Sequence, residues 1–91
     1  MVEKLPAQSW AAYARELGIN LQRERIKQGL TQEQLAYTAN ISRFSYQQLE
    51  KGESRPGTPA NPSLKNIMAL AQVLKVPLTK LLPDNCPDLT A

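Results

Sequence analysis

The sequence predicts an all-α fold, and three features carry that expectation. Apolar residues recur at three- and four-residue spacing through most of the chain. No segment shows the strict two-residue alternation of a half-buried strand. Capping residues and glycines punctuate the apolar runs at the spacing of short helices. The 91 residues are 42% hydrophobic and 21% charged, the composition of one small globular domain. A chain this short buries only about 60–65% of its unfolded surface, so a single small core is expected. The only cysteine, Cys86, has no intramolecular partner, which suits a reducing compartment. Histidine is absent, which removes both the commonest general base and the commonest metal ligand.

Each element follows from its own residues. Trp10, Tyr13, Ala14, Leu17 and Leu21 form an apolar stripe on one or two helices between about Gln8 and Gln28, with Gly18 as a kink or a boundary. Gly29 stands where a glycine past a helix C-terminus belongs. Thr31 with Gln34 fits a capping box and opens a second helix, which buries Leu35 and Ala36 and ends near Thr38. Asn40 tolerates a left-handed turn and Ser42 is a good N-cap. A third helix runs from about Arg43 to Lys51, with Tyr46 and Leu49 inward, and Gly52 stops it. Two short helices joined by such a turn make a helix-turn-helix candidate. Glu53 to Pro62 holds three prolines and a glycine and reads as a loop. Ser63 caps a fourth helix, expected to bury Leu64, Ile67, Met68, Ala71 and Leu74. A fifth turn spans Leu78 to Leu82 between Pro77 and Pro83, and the tail from Asp84 reads as extended or frayed.

The ordered set Arg25, Gly29-Leu30-Thr31-Gln32, Leu35-Ala36, Ala39-Asn40-Ile41-Ser42 and Leu49-Glu50-Lys51-Gly52 resembles the phage-repressor-like (XRE, Cro-like) helix-turn-helix family. The likeness extends through Pro62-Ser63-Leu64 and the apolar pattern to Leu82, about two thirds of the chain. It implies a five-helix domain whose second and third helices form a DNA-reading unit. The third helix would lie in the major groove, with dimers on two half-sites about 34–36 Å apart.

The resemblance also implies roles for particular residues. Arg43, Phe44 and Gln48 stand where the family touches base edges, and Gln47 shares their outward face as a further base-contact candidate. Arginine suits guanine O6 and N7, glutamine suits adenine N6 and N7, and phenylalanine packs on a thymine methyl. Gln32, at the start of the second helix, stands where the family grips a phosphate, and a helix N-terminus favours an anion there. Lys51 and Arg55 flank the exit of the third helix as further phosphate candidates, and Ser45 along its side is another. Arg25 and Glu50 match a family ion pair that ties the first helix to the third.

Three departures stand out. Asn40 replaces a usual glycine, Tyr46 replaces a usual aliphatic residue and needs a partner for its hydroxyl, and the Glu53–Pro62 segment is about five residues longer than is common in the family. The N-terminal stretch from Leu5 to Leu17 is also extra, and its apolar stripe packs either on the domain's own core or on a second copy. The expected organisation is therefore a helical extension over residues 1–17, the helix-turn-helix domain over 18–83 and a tail over 84–91. The family more often dimerises through its fifth helix, here Leu78, Leu81 and Leu82.

The expected function is sequence-specific binding of double-stranded DNA by a homodimeric transcription regulator. The alternative is a protein-interaction module, or an antitoxin-type partner protein, on the same fold. An acidic or apolar third-helix face would favour the alternative, whereas Arg43, Ser45, Gln47 and Gln48 suit a DNA reader. An enzyme is not expected, because no paired carboxylates, glycine-rich phosphate loop or nucleophile elbow appears. No cofactor or metal is expected either, since one cysteine and no histidine leave only oxygen ligands without calcium-loop spacing. Residues 1–9 carry Glu3, Lys4 and Pro6 with no apolar core of signal-peptide length, so a cytoplasmic protein is expected.

Overall fold

The structure is a computed structural model that describes residues 9–90; Leu5, at the start of the expected extension, lies outside the described residues. The chain runs through α1 (Trp10–Lys27), α2 (Gln32–Thr38), α3 (Arg43–Lys51), β1 (Glu53–Arg55), β2 (Thr58–Pro59), α4 (Leu64–Leu74) and α5 (Leu78–Leu81). The fold is thus helical, as expected, with one very small sheet.

The first four helices each start on a side-chain cap. Ser9, Ser42 and Ser63 accept from the backbone N–H three residues on, and Thr31 with Gln34 closes the full capping box at 3.0 and 2.8 Å. Such a cap contributes about 1 kcal/mol to its helix. The connections turn on left-handed residues: Gly29 at φ 69°, Asn40 at φ 61°, Gly52 at φ 82° and Lys75 at φ 57°. Asn40 therefore does the work expected of it, joining α2 to α3.

Leu21, Leu35, Tyr46, Leu70, Leu74 and Leu81 are fully buried at the centre of the core. Burying a leucine this completely stabilises by roughly 1.5–3 kcal/mol. Helix α1 is one continuous helix that passes through Gly18 without a break. The glycine is required by packing instead: a Cβ there would come within 2.6 Å of the Leu49 carbonyl oxygen, so α1 and α3 touch backbone to backbone. The apolar stripe of α1 faces this chain's own core, with Tyr13, Ala14, Leu17 and Leu21 buried and Trp10 stacked on Tyr13 at 5.5 Å between ring centroids.

Three expectations need correcting. Residues 53–59 are not a plain loop but an antiparallel hairpin turned by Pro56-Gly57, with Gly57 at φ 81°. The proline and the left-handed glycine occupy the two central positions in the order a type II turn uses. Pairs Glu53–Pro59 and Arg55–Thr58 leave Ser54 as an extra residue on β1, a β-bulge. On α4, Leu64 and Met68 point to solvent at 66% and 45% exposure, while Ile67, Leu70, Ala71 and Leu74 are inward. Eight of the eleven α4 residues are apolar, only Lys65, Asn66 and Gln72 being polar, so the sequence marks a stripe wider than the face the core can cover. Finally, α5 ends at Leu81, and Leu82 is its extended C-terminal cap.

Candidate nucleic-acid interface

Burial of Tyr46 and Leu49 fixes the rotation of α3 about its axis. The opposite face then presents Arg43, Phe44, Gln47, Gln48 and Lys51. Phe44 is 69% exposed in the middle of this polar face. Six of the residues singled out in the sequence, Gln32, Phe44, Gln47, Gln48, Lys51 and Arg55, line one concave surface between α3, the start of α2 and the hairpin.

A buried carboxylate organises the inner edge of that surface. Arg25 grips Glu50 with Nε at 2.5 Å and Nη2 at 3.2 Å, while its Nη1 donates to the Leu30 carbonyl at 2.9 Å. The Tyr46 hydroxyl donates to Glu50 Oε2 at 2.5 Å, and Gln32 Nε2 donates to Oε1 at 3.0 Å. The hydroxyl that needed a partner thus finds one a single helical turn away. Burial alone would raise the Glu50 carboxyl, but the bonds from Arg25, Tyr46 and Gln32 outweigh it and hold the group below the ordinary glutamate value. Burial, with the bond to Glu50 adding to it, pushes the Tyr46 phenol far above its ordinary value. The network therefore carries a fixed charge pair and locks α1, α2 and α3 together.

Gln32 is the bridge from this network to the surface. Its Oε1 accepts from Gln47 Nε2 at 3.4 Å, so one glutamine on α2 orders another on α3. Gln48 Nε2 donates to the Ser54 carbonyl on β1. Arg43 stands apart from the concavity with its Nη1 3.9 Å from Glu33 Oε2, an exposed pair across the turn. Ser45 is turned toward the N-terminus of its own helix, its backbone and hydroxyl both on the Ser42 side chain. Arg55, on the rim, reaches Thr58 Oγ1 at 3.4 Å.

The helix-turn-helix family model matches residues 21–81, about two thirds of the chain. The chain belongs to the helix-turn-helix family. Helix-turn-helix proteins of this kind are DNA-binding regulators of transcription, not enzymes. The restriction-modification controller protein C.AhdI from Aeromonas hydrophila is 31% identical, with a TM-score of 0.69 over 78% of this chain and 98% of that one. A hypothetical transcription factor, NHTF, from Neisseria is 27% identical, with a TM-score of 0.68 over 89% of this chain and 88% of that one. The clp gene regulator ClgR from Corynebacterium glutamicum, 20% identical with a TM-score of 0.67 over 84% of this chain and 71% of that one, shares the fold. No curated protein matches the chain in sequence.

Two contributors to this helix-turn-helix surface, and one buried acid elsewhere on α1, escape a reading of the sequence. Ser54 acts through its backbone, which its side chain does not announce. Glu33 pairs with Arg43 across a turn whose geometry no local pattern encodes. Glu24, buried at 4% exposure and paired with Arg23 and Lys27 at 3.4 and 3.5 Å, continues the buried stripe of α1 one turn beyond Leu21. Its spacing to Lys27 was the one visible signal. Among the described residues, no helix is long and apolar enough to cross a membrane.

Proposed function

We propose that this protein reads double-stranded DNA in the major groove with α3, as a homodimer on a palindromic operator. Base edges are met by Arg43, Phe44, Gln47 and Gln48, and phosphates by Gln32, Ser45, Lys51 and Arg55. One observation carries the reading: α3 turns a row of donors and acceptors around an exposed phenylalanine away from the core, in a surface flanked by the start of α2 and by two cations. A solvated face has no use for a phenylalanine at 69% exposure, whereas a thymine methyl would cover it. The likeness to a controller protein and to a transcription factor supports the same reading.

Selection of random short duplexes by the purified protein, at about 150 mM salt where non-specific binding is weak, tests it. The wild type is expected to enrich a palindrome, and Arg43→Ala with Gln48→Ala to lose it. If the wild type enriches no motif, direct reading by the protein is refuted, and a protein partner at Phe44 becomes the object of search. Enrichment of a half-site without its mirror image would refute the dimer alone.

A further inference from the structure

The two parts of the chain outside the family pattern meet each other. Trp10 Nε1, at the start of α1, donates to the Ala60 carbonyl at 3.0 Å, and the Ala60 N–H donates to the Gly52 carbonyl at 2.9 Å. These bonds fasten the base of the hairpin to α1 and to the end of α3. Within the hairpin, the bulge leaves Ser54 without a partner residue across the strands. Its carbonyl is turned out of the ladder and accepts from Gln48.

This bond has only one workable orientation. A glutamine amide carries one acceptor oxygen and an NH2 group with two donors. Turning the amide over would set Oε1 against the Ser54 carbonyl, two acceptors facing each other. Nε2 must therefore face Ser54, which uses one of its two N–H groups. The second N–H and Oε1 remain for a partner in the concave surface that Gln48 lines with Phe44 and Gln47.

We propose that the hairpin is a specificity device: the Ser54 carbonyl holds the Gln48 amide in the orientation that takes adenine. Adenine offers N6 as a donor and N7 as an acceptor in the major groove, the complement of what Gln48 has left. Guanine offers two acceptors, O6 and N7, and would leave Oε1 opposed to one of them. Ser54 is a positioning residue that acts through Gln48, and Trp10 holds the hairpin that carries it. The proposal rests on α3 lying in the major groove, and its test separates the two claims.

Duplex selection is run with the full-length wild type, with Gln48→Ala, and with a chain in which residues 53–59 are replaced by a short glycine-containing turn. The wild type is expected to prefer adenine about tenfold at the base pair whose preference Gln48→Ala abolishes. The shortened chain is expected to keep the rest of the motif and lose that one preference to within about twofold. A wild type that selects nothing overturns the major-groove reading and this proposal with it. A motif that survives Gln48→Ala, a base other than adenine at that pair, or an adenine preference that persists in the shortened chain overturns this proposal alone. If circular dichroism shows that the shortened chain does not fold, side-chain amide exchange decides. The Gln48 Nε2 protons, assigned by their loss in Gln48→Ala, are expected to exchange several-fold more slowly than those of exposed Gln72, and equal rates would overturn the proposal.

Discussion

The Glu50 carboxylate accepts from Arg25, Tyr46 and Gln32, and so one buried acid ties three helices to the concave surface beside α3. Its side chain is 5% exposed and that of Arg25 is 13% exposed. Breaking such a pair leaves the other charge buried without compensation, which costs about 3–5 kcal/mol, more than the intact pair contributes. The pH dependence has a definite sign. Because the folded value lies below the unfolded one, the stabilisation is fully present above the ordinary glutamate range and fades as the pH falls through the folded value. The urea midpoint is expected to fall as the pH drops below the ordinary glutamate range, and Glu50→Gln to flatten that fall while lowering stability near neutrality. A Glu50→Gln protein with an unchanged acid limb would show that other carboxylates carry the transition. The same network explains why Gln32 was only partly legible. Its place at the start of α2 marks it for a phosphate, but nothing local shows that its amide also bridges Glu50 and Gln47.

At the scale of elements, what could be read depended on whether a signal was local. The caps Thr31, Ser42 and Ser63, the turns at Gly29, Asn40 and Gly52 and the inward pair on α3 are decided within three or four residues and appear where the sequence places them, whereas the left-handed Lys75 has no such local mark. The hairpin was not legible because its strands are three and two residues long, too short for alternation to register, and its prolines read as loop. Gly18 shows the reverse case, a local breaker signal overridden by tertiary contact. Alanine there would gain about 1 kcal/mol of helix propensity. Its Cβ, however, would press on backbone carbonyls of Leu49 and Glu50 that cannot swing aside, and overpacking of this kind costs about 1–3 kcal/mol. Where the clash is with backbone, the upper part of that range applies, so Gly18→Ala is expected to destabilise by about 1–2 kcal/mol net. Thermal unfolding would read this as a drop of roughly 4–8 °C per kcal/mol for a domain of this size. A rise in Tm would mean that α1 and α3 separate without cost.

Over the whole molecule the formal charge is only +3, too little for a general basic surface to hold DNA. Affinity must then come from cations placed at the interface, with the nearby acids kept from opposing them. Glu50 is neutralised by Arg25, Glu33 lies against Arg43, and Glu53 accepts from the Gly57 N–H at 3.4 Å, which leaves Lys51 and Arg55 as the cations lining the concavity beside that one acid. Lys51 is exposed at the end of α3, beside the glutamines but beyond them. A phosphate contact there would carry no sequence information, whereas the base contacts proposed for Arg43 and Gln48 would. The two kinds of contact separate by salt. Each neutralised phosphate adds about 0.9 to the slope of log affinity against log salt, so Lys51→Ala is expected to flatten that slope by about one while weakening every duplex alike. Gln48→Ala is expected to leave the slope unchanged and change the preferred base. Binding isotherms for an operator and a scrambled duplex across a salt series measure both effects. A Lys51→Ala protein that keeps the wild-type slope would place Lys51 off the DNA, and Arg55 on the hairpin rim would then be the cation that the end of α3 directs to the backbone.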